Sequence, residues 1–314
     1  MSQDGTLAYA DWRDSHNELV WRDRNGTKIG SLGPGSEPRI SPDGSRVAYV
    51  LDGDVLVYDI KQQASIPITT GHPGDMRPIW AHDGRSLVFT SKGRAERGIW
   101  FVDIERGGEP PTLLFRSEQP MVPDHWSSDG LKLAYHASSE RNRWHLGVLT
   151  KDEHRDAWMP TVFSDTGHSE MMLAFHPKGS FVAYQSYITG HGNAEIYVES
   201  FPRGGNQIPI SSNRGIQARW SSDGRELFYI GAYRDQDREA RDPGIYALSF
   251  ATAPGPEVGL PHRLFSIPAL AYYDVTPDGQ RFLISEPPAE TPQVGIRIVQ
   301  NWFEEFRARR ESAR

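Results

Sequence analysis

The sequence I-S-P-D-G-S-R-V-A-Y, residues 40–49, contains a tight turn that leads into a strand. Pro42 fixes φ at the first turn position, the Asp43 side chain can bond nearby backbone, and Gly44 suits a position with positive φ. The Val-Ala-Tyr run that follows is typical of a buried β-strand. The stretch therefore predicts one β-hairpin, and its recurrence along the chain predicts the fold.

Related turns recur at intervals through the whole chain. They occupy residues 3–5, 42–44, 82–84, 128–130, 177–179, 222–224 and 277–279, and their glycines are 39 to 55 residues apart. A period of roughly 40–50 residues with four strand-like runs is typical of a β-propeller, in which each repeat forms one blade. The fifth turn has Lys178 in place of Asp, so the turns share an architectural role and not an acidic chemistry.

Each repeat can be divided into strands A to D, with A before the turn and B after it. The apolar triplets assigned to strand B are residues 7–9, 47–49, 87–89, 133–135, 182–184, 227–229 and 282–284. Such continuous apolar runs indicate strands that are covered on both faces, here by neighbouring blades. Strand D tolerates proline because it is an outer edge. The sequence thus predicts an all-β propeller of four-stranded antiparallel blades.

The two ends of the chain bear on the number of blades. The first repeat has almost no strand A, and the last has no clear strand D, so one terminus is expected to complete a blade begun by the other. Seven turns favour seven blades, and the spacing also allows six. The predicted propeller spans residues 1–300, and residues 301–314 are predicted to form a short C-terminal helix or tail, with Asn301 as its N-cap.

Composition excludes several classes of function. The chain has 34 basic and 41 acidic residues, and a net charge of −7 argues against nucleic-acid binding. It has no cysteine, which excludes disulfides, thiolate metal sites and cysteine nucleophiles. No apolar run approaches the ~18 residues of a membrane span. No signal peptide is recognisable, so we expect a cytoplasmic protein or a soluble domain excised from a longer chain, with compartment and oligomeric state left open.

The turn motifs resemble those of a known group of propellers. S-P-D-G at 41–44, W-S-S-D-G at 220–224 and T-P-D-G at 276–279, each followed by a V-A-Y, L-F-Y or similar strand, resemble the WD40-like (PD40) repeats of TolB- and Tricorn-type propellers. The resemblance is closer to the C-terminal propellers of bacterial eukaryotic-type serine/threonine kinases, carried by residues 5–9, 18–26, 225–229, 273–283 and 301–305. It implies a sensory or protein-binding module.

Catalytic motifs are incomplete. His154-Arg155-Asp156 spells the kinase catalytic-loop tripeptide, but no glycine-rich phosphate loop, strand lysine or Asp-Phe-Gly accompanies it. Residues 167–171 lack the second glycine of a nucleophile elbow. Whether the chain is an enzyme is left open by the sequence, which favours a non-catalytic protein.

The candidate ligand-binding residues are polar groups expected near the mouth of the channel. The D-to-A and B-to-C connections share the face opposite the turns, and long polar connections at 91–97, 137–143, 186–193 and 231–242 favour recognition there. Polar side chains one position before the end of strand A are expected near the channel. The candidates are Arg39, His72, His125, His168, His191, Arg219 and Asp274. Salt bridges or water that merely fill the channel are the alternative interpretation.

Two functions from different classes follow. The first is a non-catalytic binding, scaffold or sensor propeller without a cofactor, which recognises a protein, peptide or small ligand on its loop-rich face. Its partner would be a protein or peptide, including a kinase domain in the same or a neighbouring chain. The alternative is a metal-dependent lyase or other hydrolase at the channel mouth. It rests on a resemblance to oligogalacturonate lyases, and His72, His125 and His168 would converge on a divalent metal.

Overall fold

The computed structural model describes most of the chain. The described residues are 7–10, 16–72, 74–107, 109–139, 143–152, 154–188, 194–212, 214–234, 240–268, 271–288 and 296–299, with the backbone alone for 7–10, 232–234, 240–242 and 296–299. These residues contain strands and no α-helix, and accordingly none of them belongs to a helix capable of crossing a membrane. The helix predicted at 301–314 and the first predicted turn, at 3–5, lie outside the described residues.

The strands pair in antiparallel fashion, most of them with the next strand in the chain. In order, the strands are β1 (Leu7–Ala10), β2 (Glu18–Asp23), β3 (Lys28–Pro34), β4 (Ser36–Ile40), β5 (Arg46–Leu51), β6 (Asp54–Asp59), β7 (Ala64–Pro67), β8 (Asp75–Trp80), β9 (Ser86–Ser91), β10 (Gly98–Asp103), β11 (Thr112–Arg116), β12 (Met121–Trp126), β13 (Lys132–Ser138), β14 (Trp144–Asp152), β15 (Ala157–Ser164), β16 (Glu170–Phe175), β17 (Phe181–Ser186), β18 (Glu195–Ser200), β19 (Ile208–Pro209), β20 (Gly215–Trp220), β21 (Glu226–Arg234), β22 (Ala240–Ala251), β23 (Glu257–Val258), β24 (His262–Ser266), β25 (Tyr273–Val275), β26 (Arg281–Glu286) and β27 (Ile296–Val299).

The strands between Glu18 and Glu286 form six blades. Blade 1 is β4–β7, blade 2 is β8–β11, blade 3 is β12–β15, blade 4 is β16–β19, and blade 5 is β20, β21, β22 and β24, with β23 as an addition on β22. Blade 6 has the order β25-β26-β2-β3. Its inner two strands come from the C-terminal part of the chain and its outer two from the N-terminal part, so strands from both parts of the chain share one blade.

The blade count is six, the option that the sequence allowed but did not favour. Residues 18–286 form one compact unit, and residues 1–17 with 287–314 form another. The strand after the first predicted turn, β1, does not enter a four-stranded blade, since it pairs with β27 in a two-stranded sheet. Seven turn motifs therefore accompany six blades, because the strand that follows the first motif in the sequence does not enter a blade.

The Asp-Gly turns have the conformation that the sequence predicts. Gly44 has φ of +73°, its N–H donates to Ser41 O at 2.8 Å, and Asp43 Oδ1 accepts from Ser45 N at 3.1 Å. A hydroxyl before the turn donates to the aspartate, as Ser41 does to Asp43. In the turn where Lys178 replaces Asp, a histidine accepts a backbone N–H of the turn, since His176 Nδ1 accepts from Lys178 N at 3.1 Å.

The six turns of residues 18–286 also touch one another in a closed ring. In four blades, a Cβ on the turn glycine would contact a side chain at the turn of the preceding blade. The pairs are Gly44 with Pro277, Gly84 with Pro42, Gly130 with His82, and Gly224 with His176. The two remaining junctions are hydrogen bonds, since Ser128 Oγ donates to Pro177 O at 2.8 Å and Ser222 Oγ donates to Pro277 O at 2.7 Å. We call the side of the propeller that carries these turns the turn face, and the opposite side the loop face.

The core lies between blades, as the apolar strand B runs predict. Val47 and Ala48 of β5 are both fully buried, but they belong to different clusters. Val47 packs with Leu283 of blade 6, whereas Ala48 packs with Phe89 of blade 2. Successive side chains of one strand therefore join opposite neighbours, which is why these strands are apolar throughout.

One predicted recognition loop is partly strand. The connection at 231–242 continues the hairpin of β21 and β22, with pairing as far as Arg234 and Ala240. The backbone at both ends of that connection is consequently hydrogen-bonded, and the described part is an extended hairpin.

Candidate functional site

A pocket lies at the centre of the propeller, where the innermost strands of the six blades meet. These strands are β4, β8, β12, β16, β20 and β25, and each contacts the next around the ring. The residue one position before the end of each strand is, in order, Arg39, Ile79, His125, Ala174, Arg219 and Asp274. The pocket, of about 360 Å³, is lined by the four polar members of this set, as the sequence predicts.

The pocket is on the turn face, and its location there corrects the expectation that the binding residues share the loop face. Its rim consists of turn residues, namely Ser41, Pro42, His82, Ser127, Ser128, Pro177, Ser221, Ser222 and Pro277. The reason is geometric, because the penultimate residue of strand A lies next to the turn. Strand A also has a register shift before this residue, for example between Ser36 and Arg39. The shift therefore lies between the penultimate residue and the end of the strand on the loop side. We call this cavity the central pocket.

Arg219 and Asp274 form an ion pair inside the central pocket. Arg219 Nε lies 3.4 Å from Asp274 Oδ1, and both residues are buried. The second carboxylate oxygen of Asp274 accepts the N–H of Ile40 at 2.8 Å, which links blade 6 to blade 1. Arg219 Nη1 donates to Ala218 O at 2.8 Å. Asp274 thus has one partner for each oxygen and holds the ring together at its closure.

Arg39 is buried in the same pocket without a carboxylate partner among the described residues. It is 8% exposed, and its Nη1 donates to Pro38 O at 2.9 Å and reaches Tyr273 O at 3.5 Å. Burial, together with the positive charge of Arg219, lowers the pKa of Arg39 to about 9. The guanidinium is still protonated at neutral pH, and it is oriented by backbone carbonyls.

His125 adds a neutral imidazole. Burial and the nearby positive charges of Arg219 and Arg39 lower the pKa of His125 to about 4. Its Nδ1 is buried and has no hydrogen-bond partner in the described part of the chain. At neutral pH this side chain contributes a polar, uncharged wall.

The pocket also contains groups that the sequence reasoning missed. Asp124 Oδ1 lies 2.8 Å from His136 Nδ1, and Asp124 Oδ2 accepts the N–H of Leu173 from the next blade at 3.2 Å. Asp124 immediately precedes His125, so its position in strand A was the available signal. The indole rings of Trp80, Trp126 and Trp220 complete the lining. Two of them are fixed, because Trp80 Nε1 donates to Arg39 O at 2.8 Å and Trp220 Nε1 donates to Ala174 O at 3.2 Å.

A second polar cluster lies two residues further from the turns in strand A. Both carboxylate oxygens of Glu37 contact Arg77. One accepts the backbone N–H of Arg77 at 2.6 Å, and the other lies 3.3 Å from Nε of its guanidinium. Arg77 Nη2 also donates to the hydroxyl of Tyr272 at 2.7 Å, and its guanidinium lies 4.4 Å from the centre of that ring. This cluster joins blades 1, 2 and 6 and satisfies its own charges.

Two of the remaining sequence candidates, His72 and His168, are not among the residues that line the central pocket. His168 lines a separate depression on the loop face with Arg143, Met171 and Tyr187. His72 is exposed, with Nδ1 3.1 Å from Thr70 O, and His191 lies outside the described residues. Within the described ranges, no three His, Asp or Glu side chains are arranged to hold a metal ion. His72, His125 and His168 therefore do not form a common ligand set.

The depressed pKa of His125 predicts a pH-dependent stability. Because the unfolded chain binds a proton near pH 6.5 and the folded chain only near pH 4, folding stability falls as the pH is lowered through this window. We expect the wild type to lose about 3 kcal/mol relative to His125→Gln between pH 7 and pH 4. Urea unfolding of both proteins across this range measures the difference, and a gap that stays constant with pH would contradict the assignment.

Comparisons with known proteins agree with this architecture. No protein family matches the chain as a whole or in part. An uncharacterised peptidase, YuxL of Bacillus subtilis (strain 168), is 29% identical over 108 residues, which are 30% of this chain and only 16% of that protein. The structure of a putative TolB from Agrobacterium tumefaciens has a TM-score of 0.69 and 16% identity, over 87% of this chain and 99% of that chain. This chain has the fold of a TolB propeller.

Other propellers with a different described activity share the fold. An oligogalacturonate lyase in complex with manganese has a TM-score of 0.56 and 16% identity, over 89% of this chain and 78% of that chain. At such low sequence identity, the similarity shows a shared fold alone. The residues of a functional site have to be inferred from the structure of this TolB-type propeller itself.

Proposed function

We propose that this TolB-type propeller is a non-catalytic binding module that takes its ligand into the central pocket. The observation that carries the proposal is the pocket, with a volume of about 360 Å³, tryptophan walls and buried charged groups. Cavities of roughly 300–1,000 Å³ with apolar walls and a few fixed polar groups are typical ligand sites. The polar groups are held by backbone contacts before any ligand arrives, which lowers the entropic cost of binding.

The mechanism is recognition without a covalent step. The rim serines Ser127 and Ser221 donate their hydroxyl protons to the aspartates of their own turns, Asp129 and Asp223. The same oxygens accept backbone N–H groups at 2.9 and 3.0 Å. Hydroxyls used in this way stabilise turns and are not activated by a base, in contrast to a catalytic serine. The ring of turns supplies a preformed rim.

The partner we propose is a protein or peptide that inserts one group into the pocket, with a kinase domain of the same or a neighbouring chain as the specific candidate. The kinase part rests on the sequence resemblance described above. The pocket is too small for a folded element, so it would receive a chain end, a side chain or a small molecule, while the turn face makes the surrounding contacts.

A blocked pocket tests the proposal. We expect Ser222→Trp, on the rim, to abolish binding of ligands selected from a library of small molecules and short peptides by ligand-observed NMR. His168→Trp, in the loop-face depression, is the matched control and should leave binding unchanged. Ligands that bind both variants equally, or that are lost only with His168→Trp, would contradict a function on the turn face.

The metal-dependent lyase is not favoured by any contact in the described residues. Its histidines are distributed between the central pocket and the loop face, and similarity to the manganese-bound lyase shows the fold alone. It stays a prediction, which metal analysis of the purified protein tests directly.

A further inference from the structure

We propose that the central pocket recognises a carboxylate through Arg39, with Arg219 beside it, and holds the attached apolar body against the tryptophan walls. This inference rests on the proposed function and names the chemical class of its ligand.

The carboxylates near the pocket already have partners. Asp274 is bonded by Arg219 and by Ile40 N, as described above, and Asp124 by His136 and Leu173 N. Glu37 is occupied at both oxygens by Arg77. Arg39 is the guanidinium that this arrangement leaves without an anion among the described residues. Asp274 and Glu37 attract Arg39 without contacting it, so its guanidinium has no direct anionic partner among the described residues.

The unused edge of Arg39 has the geometry of an anion receptor. Its Nη1 is occupied by Pro38 O and Tyr273 O, which leaves Nε and Nη2 without protein partners in the described part of the chain. These two N–H groups lie on one side of a rigid plane and match the two oxygens of a carboxylate. Burying a guanidinium without an anion costs free energy. A ligand that supplies an anion removes part of this cost, which increases its affinity.

The charge balance favours a monoanion. Arg219 is already paired with Asp274 through Nε, and its Nη1 donates to Ala218 O, so among the described residues only its Nη2 has no partner. His125 is neutral at physiological pH, because its pKa is about 4. One guanidinium without a direct anionic partner, in a pocket that Asp124 and Asp274 also line, matches a carboxylate better than a phosphate dianion, which would need a second free cation.

The lining of the pocket indicates what the carboxylate is attached to. The lining also includes Trp80, Trp126, Trp220 and Phe175, and Ile79 belongs to the same ring of strand ends as Arg39. The cavity thus combines aromatic and apolar residues with charged groups, and a volume of about 360 Å³ suits a compact body. Both the last residue of a peptide and a free aromatic or aliphatic acid meet this description.

Matched acids and amides test the inference on the unmodified protein. The probes are benzoate against benzamide, and N-acetylphenylalanine against N-acetylphenylalanine amide, with intrinsic tryptophan fluorescence and calorimetry as readouts. We expect each acid to bind about 10- to 100-fold more tightly than its amide, as for hydrogen bonds to a charged group. Tighter binding of N-acetylphenylalanine than of benzoate indicates a peptide end as the ligand. Tighter binding of benzoate indicates a free acid, and both outcomes support carboxylate recognition.

Variants identify the residue responsible. Arg39→Met should weaken acid binding by about 10- to 100-fold, Arg39→Lys should weaken it less, and both should leave amide binding unchanged. Arg225→Met is the matched control, an arginine on the same face that is 85% exposed, and should have no effect. Thermal unfolding checks that the Arg39 variants are folded, and the comparison of acid with amide on the wild type does not depend on them.

Several outcomes would overturn the inference. The first two are equal binding of acid and amide, and no saturable binding of either acid at millimolar concentration. The others are tighter binding of inorganic phosphate than of either acid, and unchanged acid affinity in Arg39→Met. If library ligands are still lost in Ser222→Trp but none requires a carboxylate, the carboxylate inference fails while the binding function stands.

Discussion

A chain that starts at residue 35 and ends at 288 is expected not to form a stable propeller. It lacks β2 and β3, so β26 loses its partner over the whole length from Glu18 to Asp23. Leu19 and Val20, which are almost fully buried, would be missing from the core. Each is worth about 1.5–3 kcal/mol in burial alone, and the lost strand pairing adds to this, against a total stability of about 5–15 kcal/mol.

The matched control is a chain of residues 18–288, which keeps all six blades and removes only the other compact unit. It retains the ion pair that joins the two ends, in which Arg22 Nη2 lies 2.8 Å from Glu286 Oε2. We expect the control to melt cooperatively and the shorter chain to aggregate or to show no cooperative transition, by circular dichroism and gel filtration. Equal melting curves would show that blade 6 does not need its N-terminal strands.

The expected result follows from a closure that the sequence predicts only in outline. Strands and turns are local, so the alternation around Pro42-Asp43-Gly44 and its repeats is enough to predict blades. The number of blades is not local, since it depends on which strand each end of the chain pairs with. The strand at Leu7–Ala10 has the same apolar pattern as the others, yet it pairs with Ile296–Val299. No feature of its own residues distinguishes it.

The candidate site was predictable to the same extent. Polar residues at the end of strand A were expected near the channel, and Arg39, His125, Arg219 and Asp274 do line one pocket. Their face was wrongly inferred, because the penultimate residue of strand A lies next to the turn that follows the strand. Strand A also contains a bulge in five of the six blades. In four blades the bulged residue has positive φ without being glycine, at Glu37, Arg77, Met172 and Gln217. Such residues carry no sequence signal for a left-handed conformation.

The bulge also explains the groups that were missed. A bulge leaves backbone N–H groups without a ladder partner. In this propeller carboxylates of the preceding blade accept two of them, as Glu37 does for Arg77 N and Asp124 for Leu173 N. Asp274 likewise accepts Ile40 N, in the paired part of β4 after the bulge. These contacts join residues about 40 or more positions apart, so spacing in the sequence does not reveal them.

Asp274→Ala is expected to destabilise the folded chain by about 3–5 kcal/mol, which is the usual effect of removing one partner from a buried ion pair. The substitution leaves Arg219 buried beside Arg39 with no carboxylate, and it removes the acceptor of Ile40 N at the junction of blades 6 and 1. Asp274→Asn should cost less, because the amide oxygen can still accept that N–H. Urea unfolding followed by tryptophan fluorescence measures both changes.

Removing the charge of Arg219 should rescue part of this loss. If the uncompensated guanidinium is the main cost, Arg219→Met in the Asp274→Ala background restores stability, and the double variant is more stable than Asp274→Ala alone. Glu105→Ala is the control, since it breaks an exposed pair with Arg85 at 3.5 Å and should cost no more than about 1 kcal/mol. Additive effects of the two pocket substitutions would instead mean that Asp274 acts through Ile40 N, and that the ring closure depends on the backbone contact and not on charge.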